Sequence, residues 1–222
     1  MKYEEVSHIE FSQKIDEILK RKKFHLFWKR LFDIIASFIG IIIMSIFMII
    51  ISVMIKASSK GPVFFKQVRV GKNGKKFKIL KFRTMIPDAE KKGMQITVGD
   101  DVRITKVGKF LRKTKLDEFP QLFNVLKGDM SLVGPRPEVE KFVSYYDDYQ
   151  KNVLKIKPGI TDFASIKYRN ESEVLGESSD PMKTYIEDIM PVKLEINLEY
   201  IENFSFFKDI GIIFKTLCKI VS

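Results

Sequence analysis

Residues 31–55 read LFDIIASFIGIIIMSIFMIIISVMI, and this apolar run decides the architecture of the whole chain. Asp33 is its one charged residue and lies near its start. As an α-helix, the run exceeds the roughly 20 apolar residues that a bilayer crossing needs. It begins late in the chain and lacks a small-residue cleavage site, unlike a signal peptide. We therefore predict a membrane helix over residues 28–57 that persists in the mature protein.

Basic residues flank both ends of this run. Under the positive-inside rule, both ends prefer the cytoplasmic side of the membrane. A helix that enters one leaflet, bends and returns satisfies this preference, whereas a straight span does not; the flanks alone leave an ordinary single span as the alternative. The flanking residues are Lys20, Arg21, Lys22, Lys23, Lys29 and Arg30 before the run, and Lys56, Lys60, Lys66 and Arg69 after it.

Residues 1–27 predict an amphipathic, basic N-terminal helix. Within residues 8–27, apolar side chains recur near helical spacing among lysines, as in helices that lie at a membrane interface. A partly ordered basic tail is the alternative interpretation. The apolar positions are Ile9, Ile15, Ile18, Leu19 and Leu26.

Residues 58–222 predict one domain of the α+β class, mostly helical, with a β-hairpin. Residues 63–85 form two extended runs around Asn73 and Gly74, and Asn-Gly is a strong hairpin signal. Apolar spacing predicts one or two C-terminal helices over residues 191–219. Their aromatic stripe suits either core packing or the membrane surface. Three further helices are predicted over residues 103–114, 117–127 and 138–155.

The balance of charges limits the partners of the chain. Its net charge is +11, which attracts nucleic acid, anionic lipid and phosphorylated substrates alike. The basic residues cluster beside the membrane segment and form no nucleic-acid-binding motif, so we expect no nucleic acid. Cys218 is the only cysteine, which excludes an intramolecular disulfide and, with two histidines, the usual zinc sites. The composition is typical of a chain in the reducing cytoplasm.

The adjacent acids Asp117 and Glu118 are the first candidates for chemistry. They lie at a predicted helix start, after several cations, and both features favour an ionised carboxylate. We therefore expect both acids to be charged at neutral pH. Such a pair can hold Mg²⁺ while one oxygen attacks phosphorus. For an isolated Asp-Glu pair, helix capping is the alternative.

Residues 134–137, GPRP, predict a rigid turn that presents Arg136. A guanidinium fixed in this way suits phosphate oxygens, because it can donate paired hydrogen bonds. A turn with a purely structural role is the alternative for this motif by itself.

Four segments in order carry a resemblance: KRLFDII (29–35), GPVFFKQVRVGKNGKKFKILKFRTM (61–85), LRKTKLDEFPQLFNVLKGDMSLVGPRP (111–137) and KPGIT (157–161). Together they resemble the bacterial sugar transferase family, the monotopic phosphoglycosyl transferases that begin exopolysaccharide, capsule, O-antigen and glycoprotein glycan assembly. The resemblance covers roughly residues 29–161, with a weaker return at 191–217. Long ordered motifs of this kind seldom arise by chance.

The resemblance implies a transfer in two steps. The aspartate matching Asp117 attacks the β-phosphorus of a UDP-sugar, releases UMP and forms a covalent phosphosugar-enzyme, which polyprenyl (undecaprenyl) phosphate then attacks. The residue matching Glu118 helps to position Mg²⁺ or the incoming phosphate, so both acids are candidate metal ligands. Arg112 and Arg136 match positions associated with the nucleotide and its phosphates. The implied location is the bacterial inner membrane, with the catalytic domain on the cytoplasmic side.

A basic segment around the predicted hairpin gives further candidate contacts. Lys81 and Arg83 are its candidate substrate contacts, and a solvated hairpin face is the alternative for the others. Arg169 is retained from a family Gly-Arg-Asn element and is a further substrate-binding candidate. The residues expected to contact anionic lipid headgroups or substrate phosphates are Lys66, Arg69, Lys72, Lys75, Lys76, Lys78, Lys81 and Arg83.

The chain departs from the family pattern in two places. Where the family breaks its membrane helix with Ser-Pro, this chain has Ser45-Ile46, so the kink lacks its usual cause. Ser45 and Ser52 can instead bond carbonyls a turn earlier and bend the helix modestly. After residue 161, DFASIKYRN replaces the usual Gly-Trp-Ala-Gln-like stretch. If this segment lines the sugar pocket, we expect the accepted sugar to differ from that of the commoner subgroup.

The sequence leaves undecided which protein partners the chain binds and whether it is an enzyme. The chain has surfaces suited to a homo-oligomer or to downstream glycosyltransferases of the same assembly. The alternative to an enzyme is a catalytically inactive, membrane-tethered scaffold of the glycan machinery that binds anionic lipid through its basic face.

Overall fold

A computed structural model describes residues 2–89, 96–99 and 101–221 of the chain. It shows an α+β protein, largely helical, with one antiparallel hairpin and one long apolar helix near the N-terminus. The fold class predicted from the sequence is therefore confirmed. The helices are α1 Lys2–Arg21, α2 Lys23–Ser58, α3 Lys106–Lys113, α4 Gln121–Lys127, α5 Glu140–Val143, α6 Phe163–Lys167, α7 Glu171–Gly176, α8 Pro181–Thr184, α9 Met190–Asn203 and α10 Phe206–Val221; the strands are β1 Phe64–Val70, β2 Lys76–Phe82, β3 Ser131–Val133 and β4 Gly159–Thr161.

Helix α2 contains the predicted membrane segment. By length and composition it could cross a membrane: it has 36 residues, and its most apolar window has a mean hydropathy of 3.0 with 17% of residues buried. It runs without a break through Ser45, whose Oγ donates to the carbonyl of Ile42 at 2.7 Å. Ser52 donates to the carbonyl of Met48 at 2.6 Å, so the predicted back-bonding is confirmed at both serines. The apolar side chains that α2 leaves exposed include Ile34, Ile35, Phe38, Ile39, Ile42, Ile43, Ile46, Phe47, Ile49, Ile50, Val53 and Met54.

The opposite side of α2 contacts the globular body along the whole apolar run. Near its start, the buried Asp33 carboxylate accepts a hydrogen bond from the backbone N–H of Leu132 at 3.0 Å. Near its end, Ile51 and Ile55 are buried in a cluster with Phe82 and Leu111. Because a charge and a row of apolar side chains lie on the same face, this face of α2 belongs to the protein interior rather than to lipid.

The predicted hairpin is present and is held against α4. β1 and β2 pair antiparallel with Val70 opposite Lys76, and Asn73 in the turn adopts a left-handed φ of 55°. Asn is one of the few residues that tolerate this conformation. The outer edge of β2 is satisfied by Asn124, whose side chain accepts from Leu80 N–H at 2.9 Å and donates to the Lys78 carbonyl at 2.8 Å. The hairpin therefore has a fixed position relative to α4.

Strands β3 and β4 form a short parallel pair that brings two sequence motifs together. Gly134 N–H donates to the Thr161 carbonyl at 3.1 Å, and Gly159 N–H donates to the Pro135 carbonyl at 3.0 Å. A Cβ atom on Gly159 would lie 2.1 Å from the backbone nitrogen of Gly134. Only glycine allows two backbones to approach so closely. The GPRP and KPGIT motifs thus pack against each other.

The main core lies under α9, and α1 and α10 both add to it. Ile15 of α1 and Ile212 of α10 are fully buried there beside Leu198 and Ile201 of α9. Helices are therefore present at both ends of the chain. The two C-terminal helices are confirmed, but α1 ends at Arg21, and residues 23–27 of the predicted N-terminal helix begin α2 instead. Part of the α10 stripe has the expected core role, since Ile212 is buried. Phe207 and Phe214 are 84% and 66% exposed, so contact of this part with the membrane surface stays a prediction.

One predicted helix is wrong. Residues 138–155 contain only the four-residue α5 and a 3₁₀ turn at Gln150–Lys155. Between them, the Asp147 carboxylate accepts a hydrogen bond from the backbone N–H of Gln150 at 2.7 Å. This local side-chain bond replaces a helical one, which explains the interruption.

The contact between α3 and the residues that follow β2 gives a test of the fold. A Cβ atom on Gly108 of α3 would lie 1.9 Å from the carbonyl oxygen of Thr84, whereas one on Gly211 of α10 meets nothing within 4 Å. We expect Gly108→Ala to reduce the free energy of unfolding by about 1–3 kcal/mol through overpacking. Gly211→Ala, the matched control, should instead add about 0.5–1 kcal/mol through helix propensity. Thermal unfolding in detergent, followed by circular dichroism, checks the order; equal midpoints for the two variants would contradict this packing.

Candidate active site

The two candidate acids lie in a tight turn between α3 and α4. Leu116–Glu118 form a single 3₁₀ turn, and Lys115 before it has a left-handed φ of 55°. Helix α4 begins only at Gln121, so the prediction that a helix starts near Asp117 is corrected by one 3₁₀ turn. A lysine in this backbone region is strained by about 1–3 kcal/mol, and such strain is often found at functional sites.

Asp117 is buried and incompletely satisfied. The residue is only 7% exposed, and its Oδ1 atom has no hydrogen-bond partner among the residues that the structure describes. A buried carboxylate oxygen without a partner is unusual, because desolvation makes it unfavourable. The unpartnered oxygen is thus available to react with, or to bind, a group from outside the chain.

Glu118 has the opposite environment. Its Oε1 accepts from Lys81 Nζ at 2.8 Å and from Arg136 Nη2 at 2.6 Å, and Arg136 Nη1 lies 3.4 Å from Oε2. These contacts join β2, the 3₁₀ turn and the GPRP turn. Glu118 therefore fixes two cations beside Asp117.

The pKa values of Asp117 and Glu118 are shifted in opposite directions. Burial raises the pKa of Asp117, with Glu118 adding to the rise and Lys81 and Arg112 opposing it. Burial alone would also raise the pKa of Glu118, but Arg136 and Lys81 outweigh it and hold the pKa well below its usual range. Ionisation of Glu118 is supported. For Asp117, burial outweighs the neighbouring cations and raises the pKa, so its ionisation at neutral pH stays a prediction.

Arg112 completes the charge at the site. It lies in the last turn of α3, where its Nε donates to Thr84 Oγ1 at 3.0 Å and its Nη1 donates to Thr97 Oγ1 at 3.1 Å. Asp117 is among the charges that act on its pKa, and burial is the main cause lowering that pKa. Three cations, Lys81, Arg112 and Arg136, thus surround two carboxylates, which leaves a net positive charge for an anionic substrate.

Sequence reasoning missed the residues that hold these cations. Thr84 and Thr97 orient Arg112, and Arg69 donates to the Pro137 carbonyl at 3.1 Å and contacts Glu138 at 3.3 Å. Arg69 is predicted to contact lipid headgroups or substrate phosphates, or to lie on a solvated hairpin face, but its guanidinium points inward, behind the GPRP turn. Period-two alternation along β1 was the available signal, because Arg69 shares a face with inward positions rather than with Lys66 and Val68.

Gln121 is a second residue that the sequence did not single out. It is 1% exposed, and its Nε2 atom has no hydrogen-bond partner in the described part of the chain. It follows Asp117 by four residues, a spacing that places two side chains on one side of a helical segment. A polar ligand atom is the natural partner for such a buried amide.

Two predicted substrate contacts are not brought to this group. Arg83 is buried, and its guanidinium donates to the carbonyls of Ser59 at 2.8 Å and Lys60 at 2.9 Å, where it caps the C-terminus of α2. The structure thus gives Arg83 a role in holding the anchor helix. Arg169 follows α6, and no hydrogen bond or ion pair within the described ranges joins it to Asp117, Glu118 or their cations.

The carboxylates of the site suit Mg²⁺ only if substrate phosphates supply further ligands. No group of three His, Cys, Asp or Glu side chains suited to a metal occurs among the described residues. Mg²⁺ is often held by one or two carboxylates together with substrate phosphates. The free Oδ1 of Asp117 suits this arrangement, whereas the Glu118 oxygens are occupied by Lys81 and Arg136. Asp117 is the better ligand of the predicted pair.

Comparison with known proteins extends these observations to nearly the whole chain. The model of the family described as bacterial sugar transferase matches residues 24–222. A UDP-N-acetylgalactosamine-undecaprenyl-phosphate N-acetylgalactosaminephosphotransferase of Aeromonas hydrophila is 42% identical over 202 residues, covering 89% of this chain and 44% of that protein.

Two further relatives span the same region. A UDP-glucose:undecaprenyl-phosphate glucose-1-phosphate transferase of Klebsiella pneumoniae is 42% identical over 203 residues, covering 88% of this chain and 40% of that protein. The exopolysaccharide production protein ExoY of Rhizobium meliloti is 35% identical over 204 residues, covering 85% of this chain and 83% of that protein. The chain thus spans less than half the length of the first two relatives and most of the third.

The family match includes the anchor helix, the hairpin, the strained turn with its two acids and the paired GPRP and KPGIT motifs. The identities hold over nearly nine-tenths of the chain. The chain belongs to the bacterial sugar transferase family.

Proposed function

We propose that this protein transfers a sugar-1-phosphate from a UDP-sugar to a polyprenyl phosphate such as undecaprenyl phosphate. The observation that carries the proposal is the unpartnered oxygen of buried Asp117, which lies in a group with Lys81, Arg112 and Arg136. The names of the relatives from Aeromonas and Klebsiella, which specify undecaprenyl-phosphate transferases, support the same reaction.

In the first step, an Asp117 oxygen attacks the β-phosphorus of the UDP-sugar. The bond between that phosphorus and the bridging oxygen breaks, UMP leaves with the bonding electrons, and an aspartyl phosphosugar forms. Arg112 and Arg136 are suited to hold the phosphate oxygens, because each is already oriented by neighbouring groups. Bound Mg²⁺ would supply further neutralisation of the phosphate charge.

In the second step, a phosphate oxygen of the polyprenyl phosphate attacks the same phosphorus. The bond to Asp117 breaks, the carboxylate is regenerated, and the product is a polyprenyl diphosphate sugar. Lys81 stays beside the carboxylate and stabilises the charge that returns to it. The raised pKa of Asp117 suits the first step, since a more basic carboxylate is a stronger nucleophile.

The packing of α2 supports a position in one leaflet. Its inner face contacts the globular body from Asp33 to Ile55, so a straight crossing would remove one end of the helix from the body. Burying only the outer apolar face places the body at headgroup height, where a polyprenyl phosphate presents its phosphate. The basic residues at both ends of α2 favour the cytoplasmic side of a bacterial inner membrane.

Direct detection of the covalent intermediate tests the proposal. With a donor labelled in its β-phosphate, Mg²⁺ and no acceptor, we expect label to remain on the protein after an acid quench and one UMP to be released per labelled chain. Asp117→Asn should abolish both signals, with a loss of about 10³-fold or more, because the amide is not a nucleophile.

The control for this experiment is Asp148→Asn, which removes an exposed carboxylate of the same type. It should label like the unchanged protein. Donors carrying N-acetylgalactosamine, glucose and galactose are compared in parallel to identify the sugar. If no donor releases UMP and Asp117→Asn still binds anionic vesicles normally, the inactive-scaffold alternative replaces the enzyme.

The pH dependence tests the electrostatics of the group. Because Asp117 must be ionised to attack and burial raises its pKa, activity should fall with decreasing pH at a higher pH than for an ordinary aspartate. Lys81→Met removes the largest opposing cation, so the acidic limb of kcat/KM should move to still higher pH.

Lys78→Met is the matched control, since Lys78 is exposed on the same strand. Its acidic limb should coincide with that of the unchanged protein. A limb that stays in place in Lys81→Met would show that Asp117 is not the group that titrates.

A further inference from the structure

A second cavity lies at the start of the anchor helix. It has a volume of about 220 Å³ and is bounded by α2, the hairpin turn, the residues before β4 and the end of α9. It shares no lining residue with the Asp117 group. Its lining residues are Leu26, Lys29, Arg30, Asp33, Lys72, Ser131, Ile156, Lys157, Tyr200 and Phe204.

Two of the four cations in this cavity are held by the protein. Lys29 pairs with Asp209 at 2.5 Å. Arg30 donates to the carbonyls of Val125 at 2.6 Å and Leu126 at 2.9 Å, at the C-terminal end of α4. These bonds use neutral acceptors, so the positive charge of Arg30 is fixed in place but not cancelled.

The other two cations, Lys72 and Lys157, have no hydrogen-bond or ion-pair partner for their ammonium groups within residues 2–89, 96–99 and 101–221. Lys157 also lies close to Arg30: a Cβ atom on Gly128 would be 3.4 Å from Lys157 Nζ and 3.2 Å from Arg30 Nη2. Burial, followed by the charge of Arg30, lowers the pKa of Lys157. Asp33 also lines the cavity and opposes part of this charge, but its Oδ1 accepts from the Leu132 N–H, and it forms no ion pair with Lys72 or Lys157 among the described residues. Four cations therefore face one carboxylate of the lining.

The surroundings of the cavity indicate an amphiphilic anion. Leu26, Ile156 and Phe204 give it apolar walls. On the outer side of the same stretch of α2, the exposed rings of Phe24, Phe27 and Trp28 have the composition of a membrane–water interface. A membrane surface at these rings, as in the proposed function, would place the cavity at headgroup height, where lipid phosphates are concentrated.

The cavity and Asp117 lie at opposite ends of two elements, α4 and the hairpin. Arg30 binds the C-terminal end of α4, whereas Asp117 precedes its N-terminal end. Lys72 lies in the turn of the hairpin, whereas Lys81 lies near the opposite end of β2. An anion bound here is therefore not a substrate phosphate at Asp117.

We propose that this cavity binds the phosphate group of an anionic membrane phospholipid. Lys72 and Lys157 contact the phosphate oxygens, Arg30 adds fixed positive charge, and the glycerol and first acyl carbons lie against Leu26 and Phe204. The bound lipid neutralises the converging cations and fastens the start of α2 to the leaflet. This binding is independent of the reaction at Asp117.

Trp28 is the only tryptophan of the chain and is a built-in reporter for this site. The full-length protein is placed in nanodiscs of phosphatidylcholine, and phosphatidylglycerol with brominated acyl chains is added in increasing fraction. We expect quenching of Trp28 to saturate at a low fraction of the anionic lipid. Brominated phosphatidylcholine should quench only in proportion to its fraction.

Lys72→Met with Lys157→Met should raise the half-saturating lipid fraction about tenfold or more, since each cation near a lipid surface contributes roughly 1 kcal/mol. Lys72→Met alone changes only an exposed turn residue and should give part of this effect without disturbing the fold, as checked by circular dichroism. The matched control is Lys106→Met with Lys141→Met, which removes two exposed charges elsewhere.

The control should bind like the unchanged protein. Two results would overturn the proposal. One is quenching of Trp28 that rises only in proportion to the fraction of anionic lipid in the unchanged protein. The other is an equal half-saturating lipid fraction in the Lys72/Lys157 variant and its control. Inorganic phosphate added in solution separates the two sources of the anion. If it displaces the lipid at comparable concentration, the site takes a soluble phosphate and the assignment to a phospholipid falls.

Discussion

The ion pairs of Glu118 are the interaction on which the rest of the site depends. One carboxylate holds Lys81 from β2 and Arg136 from the GPRP turn. Because the three groups come from three separate segments, their positions are fixed only when the hairpin, the 3₁₀ turn and the β3–β4 pair are assembled. A partly buried ion pair of this kind is weak evidence for added stability, but it determines geometry.

The same ion pairs give the two adjacent acids different environments. Glu118 takes the nearest hydrogen bonds of Lys81 and Arg136, which leaves Asp117 buried with an unsatisfied oxygen and a raised pKa. Two carboxylates that are neighbours in sequence thus have opposite environments. Such a separation of pKa values is characteristic of sites in which one acid reacts and the other positions it.

Much of this arrangement could be predicted from local sequence, and the remainder required tertiary structure. The Asn-Gly turn, the apolar run of α2 and the two C-terminal helices depend on short-range patterns, and all were confirmed. The inward direction of Arg69, the capping role of Arg83 and the break after Val143 depend on partners elsewhere in the fold or on a side-chain bond that competes with a helix. The raised pKa of Asp117 depends on burial, which no sequence pattern measures.

The bond between Asp33 and Leu132 has a consequence for the depth of the reaction in the membrane. Together with Arg30, which holds the end of α4, it fixes the position of α2 along its own axis. A slip of α2 by one residue would move it about 1.5 Å and rotate it about 100°, which would leave a charged group facing lipid. The rotation of α2 that these contacts fix determines which of its side chains face the hydrocarbon, and therefore how far Asp117 stands from it.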